Sequence, residues 1–135
     1  SRALFENEVI MRFILRKYYL TLIWCILILF FSLKRIEISN VPFALNIPHI
    51  DKFVHFLMYM ILGIVLCYEK RAKSLVQWTF VVSFPMFFGT FIEFLQTLIP
   101  YRSGDLWDAL INAIGTMTGI IIYTFFIIKH IKSNL

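Results

Sequence analysis

Residues 106–128 read LWDALINAIGTMTGIIIYTFFII, a run of 23 in which Asp108 is the sole charged residue. About 20 such residues cross a hydrocarbon core of roughly 30 Å as a helix, because every backbone polar group is then satisfied inside the segment. Working back along the chain, three more runs read the same way: 14–33, 53–68 and 75–99. The first contains Arg16 and Lys17 near its start, cations long enough to reach the interface from within a span. Pro100 comes directly after the third and lacks the donor needed to continue it. The expected fold class is all-α, a four-helix transmembrane bundle, formed by a single membrane domain over residues 11–135. Residues 1–10, SRALFENEVI, are more polar than the apolar runs and are expected to be an added or disordered lead.

Composition agrees. Of 135 residues, 60% are hydrophobic, 18% aromatic and 16% charged, and the mean hydropathy is +0.80. A soluble domain would scatter its charges over the surface, whereas here they gather between the apolar runs. The formal charge of +5 comes from those short basic clusters. No basic groove or aromatic nucleic-acid motif accompanies it, so nucleic acid is not an expected partner. Cys25 and Cys67 lie in different runs and form no CxxC pair, which leaves packing as their expected role. The first run ends in SLKRIE, unlike a signal-peptide cleavage site, and reads as a retained helix.

Lysine and arginine placement orients the bundle. Nine of the thirteen fall in the amino-terminal segment, the second loop and the tail, against four (Lys34, Arg35, Lys52 and Arg102) in the first and third loops. Cytoplasmic loops carry the excess of these residues, so both termini are expected in the cytoplasm; the expected location is a bacterial cytoplasmic membrane. The one long connection, Lys34 to Ile50, contains Pro42 and Pro48 and reads as an extended or interfacial loop, with Phe43 and Leu45 in the headgroups. Pro85 inside the third run, with Gly89 one turn later, is expected to kink that helix and free carbonyls.

Polar groups inside a span need a partner, water or a task. Asp51 and His55 are four apart and share a helical face, as do Glu93 and Gln96, three apart, and Asp108 and Asn112, four apart. Under the assigned orientation all three pairs meet in the outer leaflet. Asp105 suits a helix N-cap, and Asp108 sits in the first turn, where the helix dipole favours a carboxylate. Gly115 and Gly119 permit close backbone approach, with packing inside the chain favoured over dimerisation.

The order Asp51-Lys52-x-x-His55, Glu93-x-x-Gln96, Arg102, then Asp108-x-x-x-Asn112-x-x-Gly115-x-x-x-Gly119 resembles the VanZ-like family, named for a protein linked to teicoplanin resistance. The resemblance covers residues 51–119 and implies a small multi-spanning helical protein bearing these polar residues, without implying a settled reaction. It marks Asp108, rather than Asp105, as the family's aspartate.

These residues define candidates for acid-base chemistry. His55 titrates near neutrality when unperturbed and could act as acid or base; it could equally lock helix packing through Asp51 or Glu93. Glu93 is a candidate proton donor or a structural ion-pair partner of Lys52 or Arg102. Lys52 and Arg102 suit an anionic headgroup, or ordinary interfacial lipid. The expected catalytic set is His55, Glu93, Asp51 and Asp108, and the binding set is Lys52, Arg102, Gln96 and Asn112. No cofactor is expected. A divalent metal on Asp51, His55, Glu93 and Asp108 is disfavoured by the competing cations and the lack of HExxH spacing.

The leading expectation is a membrane-embedded hydrolase or transferase acting on an amphiphilic cell-envelope lipid or lipid-linked precursor. The alternative is a non-catalytic binding or antibiotic-resistance factor that changes the access of a glycopeptide. Ion transport is disfavoured because no acidic or basic residue is expected at a matching depth in the other half of the bundle.

Overall fold

The computed structural model describes residues 1–33, 50–99 and 106–134, with the backbone alone described at Ile50 and Asp51. It forms five helices in chain order: α1 (Arg2–Lys17), α2 (Tyr19–Leu33), α3 (Ile50–Lys70), α4 (Leu75–Thr97) and α5 (Leu106–Ser133). All regular structure among the described residues is helical, as expected. Helices α3, α4 and α5 are long and apolar enough to cross a membrane, and α1 and α2 qualify when taken together as a pair bent by 78°. The loop expected over residues 34–49 lies outside the described residues.

The bundle is built on the pairing of α3 with α5, and the glycines explain how close it is. A Cβ at Gly115 would stand 2.5 Å from the carbonyl oxygen of Phe56, and one at Gly119 would collide with that of Met60. The glycine pair is thus turned onto α3, where it admits the neighbouring backbone as small-residue interfaces in membranes do. Helix α4 lies against both partners. Ser74 caps its start by accepting from the Gln77 amide at 3.2 Å, while Gln77 accepts from the Lys73 and Ser74 amides, a capping box that closes the short turn after α3. It continues as a helix through the buried Pro85.

Helix α2 docks on α3. The Trp24 indole donates to the Met58 carbonyl at 2.8 Å, and Cys25 and Ile28 join Tyr59, Leu62 and Ile92 in one apolar core, with Phe84 and Phe88 packed against it. Their neighbours Phe87, Phe91 and Phe94 are exposed, which in a membrane means facing lipid. A second core joins Leu66, Cys67, Val81 and Ile120 toward the other end of the bundle. Both cysteines are buried and free, in keeping with packing.

The first apolar run is divided at Tyr18, where α1 ends and α2 begins. Residues 2–10 belong to α1. Alone, α2 has 15 residues and rises about 22 Å, less than the hydrocarbon thickness. Its exposed amino end is satisfied by a carboxylate from elsewhere. Glu69, at the far end of α3, accepts from the Leu20 amide at 3.2 Å, the Thr21 amide at 2.6 Å and the Thr21 hydroxyl at 2.7 Å. A negative charge on these orphan donors also complements the helix dipole.

Candidate functional site

The connectivity brings four helix ends together: the close of α2, the start of α3, the close of α4 and the start of α5. Most of the polar positions singled out by sequence lie at this end. His55 (6% exposed), Glu93 (8%), Gln96 (2%), Asp108 (9%) and Asn112 (2%) are all buried. Glu93 stands four residues before the end of α4, about 6 Å along the axis. Arg102 and Asp105 lie outside the described residues, as does the side chain of Asp51; the backbone of Asp51 is in the first turn of α3.

Two contacts assign roles. Lys52 Nζ lies 2.9 Å from Asp108 Oδ1, an ion pair joining the starts of α3 and α5 with its side chains 27% and 12% exposed. Lys52 therefore reaches Asp108, and Asp108 anchors a cation at the rim. Gln96 Nε2 donates to the Ser32 carbonyl at 2.9 Å, near the end of α2. This bond fastens α4 to α2 and occupies one of the amide hydrogens expected to bind a ligand.

Deeper inside, Gly89 marks where α3, α4 and α5 meet. A Cβ there would stand 3.2 Å from Tyr59 Cε1 and 3.3 Å from Asn112 Nδ2. The missing side chain at Gly89 lets the phenol and the amide approach the α4 backbone closely. Tyr59 is fully buried and stacks at a tilt on Phe88 with centroids 6.5 Å apart. Among the described residues, the Tyr59 hydroxyl and both polar side-chain atoms of Asn112 have no hydrogen-bond partner. Buried polar atoms are normally satisfied, especially away from water, so this pair stands out within the core. The Asn112 backbone is engaged more fully: its carbonyl accepts from the Thr116 hydroxyl at 2.9 Å.

Sequence reasoning missed Tyr59 and Thr116. The signal for both was spacing, since Tyr59 lies four residues after His55 and Thr116 four after Asn112, extending two polar faces inward by one turn. Among the described residues no three His, Cys, Asp or Glu side chains are grouped to hold a metal ion. On the outside of α4 and α5, an apolar cleft of about 520 Å³ runs past Met86, Thr90, Leu106, Trp107, Leu110 and Ala113. Its wall includes the first turn of α5, beside Asp108.

Comparison with known proteins decides kinship. A family profile described as VanZ/LLP1 matches residues 10–128. The chain belongs to the VanZ/LLP1 family. Family membership and the apolar helices together make it a multi-pass membrane protein. It is similar to a protein of Schizosaccharomyces pombe (strain 972) bearing the description "Uncharacterized protein C11E3.10", at 30% identity over 81 residues, 58% of this chain and 49% of that protein. The chain thus spans about half the length of the curated relative it matches. No solved structure matches it.

Proposed function

We propose that this VanZ/LLP1 member acts on an amphiphilic cell-envelope lipid or lipid-linked precursor at the end of the bundle carrying Lys52, His55, Glu93, Asp108 and Asn112. The observation that carries the reading is the placing of a buried imidazole, a buried carboxyl and unpartnered amide and phenol groups within helices that face lipid. A polar headgroup supplies the missing hydrogen-bond partners, and the cleft along α4 and α5 accommodates its apolar chain. His55 and Glu93 exchange protons with the headgroup, Asp108 holds Lys52 at the rim, and Asp51 and Arg102 complete the polar mouth. Such an enzyme is a membrane-embedded hydrolase or transferase. In this reading it resides in a bacterial cytoplasmic membrane, and the distribution of lysine and arginine supports both termini inside and the site on the outer side.

Lipid and envelope-precursor profiles of cells carrying His55→Ala or Glu93→Gln test this directly. An altered amphiphile pool is expected for both variants at normal protein level. Unchanged profiles with well-folded protein would refute the acid-base role.

A second reading is favoured by the deep burial of Asn112 and Gln96, which suits recognition without turnover. Here the same end binds a lipid-linked precursor and limits the access of a glycopeptide such as teicoplanin. A bound lipid recovered chemically unchanged after prolonged incubation supports this reading, and a changed headgroup supports the enzyme.

A further inference from the structure

The opposite end of the bundle holds a different arrangement, at the elbow between α1 and α2. Helix α1 leaves α2 at 78°, so when α2 runs across the membrane α1 runs nearly along its surface. None of the described residues buries α1: Leu4 is 70% exposed, Met11 61% and Leu15 50%. On a helical projection Leu4, Ile10, Met11, Ile14 and Leu15 share one arc that also holds Asn7, while Arg2, Glu6, Glu8, Arg12, Arg16 and Lys17 lie on the other side, interrupted by Phe5, Val9 and Phe13.

The elbow itself is basic. The Tyr18 ring has Lys17 Nζ at 5.6 Å and Lys70 Nζ at 5.9 Å from its centroid. Lys17 and Arg71 line a cleft of about 350 Å³ with Tyr19, Leu20, Tyr68 and Glu69. The one carboxylate in this cleft is engaged with the start of α2. Among the described residues, neither Lys17 nor Arg71 has a carboxylate within ion-pair distance. Glu69 therefore caps α2 at the bend, and among the described residues it leaves Lys17 and Arg71 without a carboxylate partner.

We propose that α1 is an in-plane interfacial helix and that the Lys17 and Arg71 cleft at its elbow binds the headgroup phosphate of anionic phospholipid. Apolar side chains on one arc enter the acyl boundary, and the basic side meets the phosphates, the arrangement expected of a helix lying on a negatively charged leaflet. The 78° turn leaves α1 at the same end of the bundle as Lys70 and Arg71, where α3 ends.

Spin labels on Met11→Cys, Leu15→Cys, Arg12→Cys and Arg16→Cys test both parts, since Cys25 and Cys67 are buried (8% and 2% exposed) and shielded from the labelling reagent in the folded protein. The whole chain is reconstituted in vesicles of phosphatidylcholine alone or with phosphatidylglycerol. Labels at 11 and 15 are expected to collide with oxygen, and those at 12 and 16 with an aqueous nickel chelate. Phosphatidylglycerol should deepen positions 11 and 15, and Lys17→Gln/Arg71→Gln should abolish that shift. Nickel access at all four positions would overturn the in-plane helix, as would oxygen access at all four. A phosphatidylglycerol-dependent shift that persists in the double variant would overturn the phosphate site.

Discussion

Asn112 and Tyr59 are placed where a packed membrane core would ordinarily use apolar side chains. Their unpartnered polar atoms oppose stability, because a buried amide or hydroxyl without a partner is destabilising by about 1–3 kcal/mol in mutational data. Asn112→Leu is therefore expected to keep or raise the thermal midpoint of the empty protein while losing bound lipid; parallel unfolding and lipid-retention measurements check this. A fall in stability equal to that of a core truncation would mean that Asn112 is a packing residue. The Lys52 and Asp108 pair behaves differently. It is partly exposed, so solvent screens it, and a double-mutant cycle between Lys52→Met and Asp108→Asn is expected to give a coupling of about 1 kcal/mol. Most of the buried polar set was legible because each member lies three or four residues from another. Tyr59 was less so, since a tyrosine in an apolar helix is usually an amphipathic packing residue, and its spacing from His55 gains meaning only with its close approach to Gly89. The use of Gln96 to hold Ser32 was equally hidden, because that contact joins residues 64 positions apart.

Among the elements, α3 and α5 carry the architecture. Gly119→Ala would drive a methyl group into the Met60 carbonyl, and overpacking of this kind is destabilising by about 1–3 kcal/mol. The expected outcome is a lowered thermal midpoint together with displacement of the polar end, because the same helix pair positions His55 and Asn112. Glu69→Ala is predicted to lose about 1–2 kcal/mol through the cap on α2, read by thermal unfolding, with Glu69→Asp as a test of reach. The helices themselves were legible from hydropathy and from Pro100. The division at Tyr18 was not: residues 14–33 read as one apolar run, and the carboxylate that caps α2 at the bend lies 48 positions after Thr21. Glu69 beside Lys70 and Arg71 looks like a solvated charge cluster, so its structural task emerges only once the chain has folded.

For the whole molecule, the two ends of the bundle have separate chemistry. One gathers buried acid, base, amide and phenol groups from α3, α4 and α5; the other gathers cations around a bent amino-terminal pair. The apolar exterior between them, including Phe87, Phe91, Ile121 and Phe125, suits contact with acyl chains. The central claim is that the buried polar end receives a lipid headgroup. Native mass spectrometry of the protein released from mild detergent measures it most directly, comparing wild type with Asn112→Leu and Lys52→Met. A defined amphiphile should accompany the wild-type protein and be lost from both variants, and equal retention of the same lipids by all three proteins would contradict the claim.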